Sequence, residues 1–270
     1  MKIDSITSRH NPLLVRLRKL SNDSLAYRKQ GQIWLEGEHL CGAFAARGAA
    51  IAQAVITQAA WEQGPCRELA MRADAVSVVP EPLMATLSSL ESSPALAFAV
   101  AWPGMSEMQA GVASVVLDRV QDAGNAGAIL RSAAAFGFSQ VLALKGSAGL
   151  WAPKVLRAAM GAHFSLRLVE SLEESALVDL RIPLLAAGPH AAQALHNVDL
   201  PWPCAWLFGH EGQGVSAPLL RQCQHVLRIA QPGGQESLNV AAAAAVCMYE
   251  STRQAMARGL PQRAQNPCRR

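Results

Sequence analysis

Residues 205–214 read AWLFGHEGQG, an apolar run that changes abruptly into the polar, glycine-rich segment Phe208-Gly209-His210-Glu211-Gly212. The same change occurs at Asn125-Ala126-Gly127 through Arg131, after the apolar run 114–117, and at Ser237-Leu238-Asn239, after the run 226–229. Short apolar runs are typical of buried strands, and each segment leads into a helix-like stretch. Because loops at the carboxyl ends of strands build the ligand crevice of an open α/β sheet, the three segments are predicted to form one site.

On both sides of these segments, strand candidates alternate with helical patterns along most of the chain. The candidates are 33–35, 55–56, 76–79, 96–100, 114–117, 141–144, 166–169, 184–187, 205–208 and 226–229. Strands separated by helices predict a parallel sheet with both faces covered. We expect a smaller N-terminal α/β domain at 1–100, a linker at 101–111, a C-terminal α/β domain at 112–260 and a flexible tail at 261–270.

Composition predicts a globular protein, since 51% of the residues are hydrophobic. No apolar stretch approaches the roughly 20 residues of a membrane span, and the N-terminus has no apolar signal core, so we expect a cytoplasmic protein without a membrane partner. The six cysteines lack CxxC spacing, which predicts reduced thiols and no metal site.

Basic residues are concentrated at the N-terminus, where residues 1–30 hold seven Lys or Arg against two Asp. This clustering favours a polyanionic partner, although a solvated helix face would look the same. Asn11-Pro12 followed by Leu14, Leu17 and Leu20 predicts a capped amphipathic helix that carries several of these charges.

Each of the three loop segments also has a purely structural interpretation. Asn125 and Gly127 could form a turn and a helix N-cap, Arg131 could be a solvated helix residue, and Ser237 or Asn239 could cap the alanine-rich last helix. Glu211 between glycines is less easily explained in this way, because glycine-rich loops let the backbone approach a ligand closely.

Taken in order, the segments match three motifs of one family. They read Asn125-x-Gly127-Ala128-Ile129-x-Arg131-x-Ala133-x-x-Phe136-Gly137, then Phe208-Gly209-x-Glu211-Gly212-x-Gly214, then Ile229-x-x-x-Gly233-x-x-Glu236-Ser237-Leu238-Asn239-Val240-x-x-Ala243. This set strongly resembles the motifs of the SpoU (TrmH-like) RNA 2′-O-ribose methyltransferases of the SPOUT class. The N-terminal part is similar, more weakly, to that family's RNA-binding domain, through Ile6-Thr7-Ser8-x-x-Asn11-Pro12 and Trp34-Leu35-Glu36-Gly37.

The resemblance implies a parallel-sheet α/β domain with a deep trefoil knot, which holds S-adenosylmethionine, and an obligate homodimer. By the same resemblance, Gly209, Ile229 and Leu238 would contact the cofactor mainly through backbone. The catalytic set would be Asn125, Arg131, Glu211, Ser237 and Asn239, with Arg131 supplied across the dimer, and the substrate would be structured RNA, ribosomal rather than transfer RNA.

The residue types suit methyl transfer to a ribose hydroxyl, which needs the oxygen positioned and partly deprotonated. A guanidinium is a poor base at neutral pH, so Arg131 is expected to act electrostatically on the flanking phosphate. Glu211 is expected to fix a loop or Asn125, and no metal is required. A Rossmann-type enzyme is a poorer match because GxGxxG is missing, and an RNA-binding protein of the same fold without catalysis is the remaining alternative.

Overall fold

A computed structural model describes residues 2–62, 64–233 and 237–259. The predicted tail at 261–270 and motif residue Glu236 lie outside the described residues. The described strands are, in chain order, β1 Lys2–Ser5, β2 Gln32–Glu36, β3 Ile51–Thr57, β4 Ala73–Val79, β5 Leu96–Ala101, β6 Ser114–Asp118, β7 Gln140–Leu144, β8 Arg167–Leu172, β9 Leu184–Ala187, β10 Gln193–Ala194, β11 Ala205–Gly209 and β12 His225–Arg228.

The described α-helices are α1 Pro12–Asn22, α2 Ala26–Gln30, α3 Glu38–Ala45, α4 Gln58–Glu62, α5 Pro65–Ala70, α6 Glu81–Ala85, α7 Ala123–Ala135, α8 Pro153–Ala159, α9 Ala217–Gln222 and α10 Val240–Ala257. Short 3₁₀ helices occupy Ala162–Ser165, Glu174–Leu180 and Leu195–Asn197. Every strand candidate of the sequence analysis falls on or overlaps one of these strands.

The chain divides into two compact units, Met1–Gly104 with Trp151–Gly161, and Met105–Leu150 with Ala162–Arg270. The segment 151–161 carries α8, and no sequence pattern had indicated that it belongs with the N-terminal residues. The domain limits stated above stay a prediction.

The first unit is built on a five-stranded mixed sheet in the order β1-β4-β3-β5-β2. Strands β1, β4 and β3 run parallel, whereas β5 is antiparallel to both β3 and β2. Strand β1 had no counterpart among the strand candidates, because its four residues are all exposed at the sheet edge and so show no apolar run.

Helix α1 of the first unit forms as predicted. The Asn11 Oδ1 atom accepts a hydrogen bond from the Leu13 backbone N–H at 2.9 Å, and Pro12 occupies the first turn, where its missing N–H costs nothing. Leu14, Leu17 and Leu20 are buried, which leaves the basic side chains of this helix on its outer surface.

A buried ion pair holds α8 within the first unit. The Arg157 guanidinium lies 3.1 Å from the Glu36 carboxylate, whose side chain is 1% exposed. The Trp34 indole N–H and the Ser88 hydroxyl donate to the same carboxylate, at 3.0 and 3.1 Å. Burial raises the pKa of Glu36 above its ordinary value. The charge of Arg157 and the hydrogen bonds from Ser88 and Trp34 offset only part of that increase.

The second unit is built on a seven-stranded sheet in the order β10-β12-β9-β11-β6-β7-β8. All of its strand pairs are parallel, so the predicted parallel sheet is confirmed. Among these strands only β10, two residues long, had no counterpart in the sequence analysis. The trefoil knot stays a prediction.

The strand order of the second sheet reverses beside β6. The chain runs outward from β6 through β7 to β8, and then returns on the other side of β6 through β9 and β11. Strands β6 and β11 are neighbours, with Asp118 paired to Gly209 at their carboxyl ends. Ligands of open α/β sheets bind in the crevice at such a switch point, so the loops after β6 and β11 define where the site should lie.

Candidate active site

Three predicted site residues meet at this switch point. Asn125 lies in the first turn of α7 after β6, Glu211 follows β11, and Asn239 directly precedes α10. The Asn125 Nδ2 atom donates to Glu211 Oε1 at 3.1 Å, and the Asn239 Nδ2 atom donates to Asn125 Oδ1 at 2.9 Å. Segments 86 and 114 residues apart in sequence thus form one continuous chain of hydrogen bonds, which we call the amide chain.

The amide chain has only one consistent direction. An ionised Glu211 can only accept, so Asn125 must turn its amino group toward it and its oxygen toward Asn239. Asn239 must then donate through its own amino group. Its oxygen is already used, because Asn239 Oδ1 accepts from the backbone N–H groups of Ala241 and Ala242 at 2.9 and 3.3 Å.

The helix-capping role expected for Asn239 is therefore confirmed, whereas the one considered for Asn125 is not. Asn239 does cap α10, and it binds Asn125 at the same time. Asn125 does not cap α7. Asp122 has that role, since its Oδ1 atom accepts from the Asn125 backbone N–H at 2.7 Å. Asp122 was not among the predicted residues, although an Asp just before a helical stretch is a recognised N-cap signal.

The Glu211 carboxylate is stabilised in its ionised form. Burial acts to raise the pKa of Glu211, but the Asn125 amide and backbone N–H groups, including those of Asp122 and Gln121, together hold it below its ordinary value. The Asp122 and Gln121 N–H groups lie 3.2 and 3.5 Å from the carboxylate. A carboxylate with a lowered pKa and occupied lone pairs is a weak proton acceptor, so its geometry suits a group that orients Asn125.

Arg131 is not brought to the amide chain of its own subunit. Its side chain is exposed on α7 and makes no hydrogen bond or ion pair with any of the residues described. Arg131 lies six positions after Asn125 on the helix, so the two side chains point about 120° apart around it. Ser237 is also exposed and likewise without a hydrogen bond in the described part of the chain.

The three residues predicted to contact a cofactor lie at the carboxyl ends of β11 and β12 and just before α10. Gly209 is the buried last residue of β11, Ile229 is partly buried just after β12, and the Leu238 side chain is 41% exposed. The loop 210–215 folds directly over Gly209: an added Cβ would lie 2.0 Å from the Gly214 carbonyl carbon. Glycine is therefore required here by the fold, whether or not a ligand is bound.

A separate polar cleft of about 380 Å³ opens at the carboxyl ends of β6, β7 and β8. Its charged residues largely neutralise one another, with Lys145 paired to Glu173 and Arg119 paired to Asp118. The lining residues are Asp118, Arg119, Leu144, Lys145, Leu172, Glu173, Glu174 and Ser175.

The residues that the structure describes show neither a metal-binding cluster nor a membrane-spanning helix. These ranges contain no cluster of three His, Cys, Asp or Glu side chains able to hold a metal ion, and their five cysteines are free thiols. Within the same ranges no helix combines the length and apolarity needed to cross a bilayer.

A parallel α/β sheet with polar loops gathered at its switch point defines a class of ligand-binding enzyme folds, and comparison with known proteins gives the family. The profile of the SpoU rRNA Methylase family matches residues 113–249, which is about half of the chain. An uncharacterized tRNA/rRNA methyltransferase of Synechocystis sp. is 33% identical over 267 residues, covering 96% of this chain and 97% of its own. The chain therefore belongs to the SpoU methylase family.

Solved structures agree with this assignment. A crystal structure of an RNA 2′-O ribose methyltransferase superposes with a TM-score of 0.80 at 30% identity, covering 93% of this chain and 99% of that one. An AdoMet-bound rRNA methyltransferase from Sinorhizobium meliloti shares the fold, with a TM-score of 0.79 at 24% identity over 93% of this chain and 98% of its own. The predicted family and the predicted α/β fold class are confirmed.

Proposed function

We propose that this protein transfers a methyl group from S-adenosylmethionine to the 2′-hydroxyl oxygen of a ribose in structured RNA, ribosomal rather than transfer RNA. The observation that carries the proposal is the amide chain of Asn239, Asn125 and Glu211 at the switch point of the sheet. The family description names rRNA, and the relative of known structure at 30% identity acts on the ribose 2′-oxygen.

The loops around the amide chain suit a nucleoside cofactor. Leu238 leaves an apolar side chain 41% exposed immediately beside Asn239, and covering such a side chain with a purine is favourable. Ile229, at the end of β12, adds a second partly buried apolar residue. A bound S-adenosylmethionine would supply an electrophilic methyl group on a sulfonium, and its positive charge is lost as the methyl group leaves.

The chain's own residues would orient and activate the hydroxyl. Asn125 and Asn239 hold fixed amide directions, so a ribose placed against them meets preorganised donors and acceptors. Arg131, unpaired within the described part of its own subunit, is available to a phosphate next to the target ribose. Its guanidinium would stabilise the developing alkoxide, while the proton leaves to solvent.

We further propose that the site is completed by a second copy of the chain. The outer face of α10 exposes Val246, Tyr249 and Met256 at 41%, 55% and 53%, on one stripe with Ala242 and Arg253. An exposed, mainly apolar helix face of this kind, interrupted only by Arg253, is typical of an interface. Because Arg131 points away from its own amide chain, it would serve the partner's site.

Binding of the RNA itself is assigned mainly to the first unit. Arg16 and Lys19 are exposed on α1, and Arg28 and Lys29 are exposed on α2, which together present a basic surface. Neutralising RNA phosphates with such side chains releases counterions and supplies sequence-independent affinity. The cytoplasmic location stays a prediction.

The proposal is tested by single-turnover methyl transfer to ribosomal RNA with the Arg131→Ala variant. Its rate should fall about 10²-fold while cofactor affinity is retained, because a charge-stabilising group is lost but no cofactor contact is. Arg221→Ala, an exposed arginine on α9 without a partner in the described residues, is the matched control and should keep the wild-type rate.

Mixing tests the shared site. Arg131→Ala and Ser237→Ala chains are each expected to be strongly impaired. Half of the randomly exchanged dimers are mixed and each retains one intact site of two, so exchange should restore about a quarter of the wild-type activity. Demonstrated exchange without any recovery contradicts the shared site. RNA binding by the wild type without methyl transfer would instead favour the non-catalytic alternative.

A further inference from the structure

The loop that carries Glu211 is held at a second point, away from the amide chain. After β11 it turns sharply: His210 C=O accepts from the Gly214 N–H at 2.7 Å, and His210 Nδ1 accepts from the Gly212 N–H at 3.0 Å. These contacts fix the shape of the turn. They leave open what fixes the turn to the rest of the sheet.

Asp118, the last residue of β6, provides one such attachment. Its side chain is 2% exposed, and its Oδ2 atom accepts from the Ser216 backbone N–H at 2.7 Å, just past the turn. The same carboxylate binds Arg119 in a bidentate fashion, at 2.8 Å to Nε and 3.2 Å to Nη2. The buried carboxylate is thereby paired and multiply hydrogen-bonded, which offsets the cost of removing it from water.

Arg119 provides the other attachment. Its remaining guanidinium nitrogen, Nη1, donates to the Gln213 side-chain oxygen at 3.0 Å, within the turn itself. Arg119 also has a φ of +58°, a left-handed conformation that non-glycine residues rarely adopt. Such strain persists only where surrounding contacts enforce it, and here the guanidinium is bound on both sides.

We infer that Asp118 and Arg119 are positioning residues for the reaction: they fix the loop 210–216 so that Glu211 meets Asn125 at the correct distance. This inference rests on the proposed function for its catalytic part. The loop is bound to Arg119 through Gln213 and to Asp118 through Ser216, and Glu211, two residues before the first attachment, contacts the amide chain. A displacement of about 1 Å in such a group can reduce turnover by about 10²-fold.

Gln213→Ala is the informative variant, because Gln213 is exposed and only its side-chain contact with Arg119 is removed. We expect kcat to fall about 10-fold, with KM for RNA and cofactor affinity within about 2-fold of wild type. Gln213→Glu restores an acceptor for Arg119 and should recover most of kcat. Gln222→Ala, the same deletion on α9, is the control and should match the wild type.

Amide hydrogen exchange on the same proteins separates this inference from the proposed function, since it needs no methyl transfer. In Gln213→Ala, exchange should accelerate about 10-fold at Ser216 and at Gln121 and Asp122, whose N–H groups bind Glu211. Unchanged exchange there, or faster exchange with wild-type kcat, overturns the positioning role. If exchange accelerates in Gln213→Ala but the wild type transfers no methyl group, the proposed function is overturned. The catalytic role inferred for Asp118 and Arg119 then falls with it, while the attachment of the loop stands.

Discussion

Replacing Asn239 by Asp separates the two roles of this residue. The Asn239 oxygen caps α10, and its amino group donates to Asn125. An aspartate preserves the cap, because Asp and Asn are equally good at that position and a negative charge suits a helix N-terminus. It removes the donor. Asn239→Asp should therefore unfold at nearly the wild-type temperature and yet be impaired in methyl transfer.

The size of the defect follows from the direction of the amide chain. With a carboxylate at position 239, the Asn125 oxygen faces another acceptor, and turning the Asn125 amide over only moves the clash to Glu211. One hydrogen bond is lost and one acceptor–acceptor contact remains, at a cost of about 1–3 kcal/mol. Glu211 and Asn239 are exposed, so in the variant the side chains can turn to solvent and the cost falls on the ordered site rather than on unfolding. Single-turnover rates should therefore fall about 5- to 150-fold.

Asn239→Ala is the matched comparison. It loses the cap as well as the donor, so its free energy of unfolding should fall by about 1 kcal/mol, which corresponds to roughly 2–4 °C in Tm for a chain of this size. Thermal unfolding and single-turnover rates are measured on the same preparations. The reasoning is refuted if Asn239→Asp reacts at the wild-type rate, or if it is destabilised as much as Asn239→Ala.

A double variant tests the direction itself. Glu211→Gln supplies a donor at the other end of the chain, so in combination with Asn239→Asp the Asn125 amide can turn over and satisfy both neighbours. The double variant should be more active than the product of the two single effects implies, by a coupling energy of about 0.5–3 kcal/mol. Simple additivity would show that the amide chain has no preferred direction.

Three further predictions concern charge. Burial acts to raise the pKa of Glu211, but the hydrogen bonds to its carboxylate lower the pKa overall. The ionised Glu211 should therefore order the loop at neutral pH, and this contribution should be lost only as the pH falls through the lowered pKa. A pH–rate profile with an acid limb above about pH 5 that disappears in Glu211→Gln would contradict this. Arg157→Ala leaves the buried Glu36 carboxylate without its partner, so the free energy of unfolding should fall by about 3 kcal/mol at pH 8. The loss should be smaller near pH 5, where Glu36, whose pKa is raised, can take up a proton. Urea unfolding at both pH values checks this, and an equal loss at both would argue against an unpaired buried charge. Changing Arg16, Arg18 and Lys19 of α1 together to Ala should weaken RNA binding and leave cofactor affinity unchanged. The slope of log affinity against log salt should flatten by up to about 0.7–0.9 per residue. A wild-type slope would show that the RNA binds another surface.

Local sequence patterns were sufficient for the elements that depend on neighbours in the chain. The Asn11 cap and the leucine stripe predicted α1, and short apolar runs separated by helical patterns predicted the parallel sheet. These signals are strong because capping and the burial of one face are decided within a few residues. The exposed strand β1 was not predicted, because an edge strand needs no apolar run.

The family, and the polar residues available at the carboxyl ends of the strands, could be read from the sequence, since motif residues in fixed order carry that information. How these residues are used depends on the three-dimensional arrangement of the strands. It joined Asn239, Asn125 and Glu211 into one directed chain, turned Arg131 away from them, and placed the loop over Gly209 so closely that no side chain fits. These outcomes depend on the spatial order of the strands, which brings residues about 100 positions apart into contact, and no local pattern encodes that order.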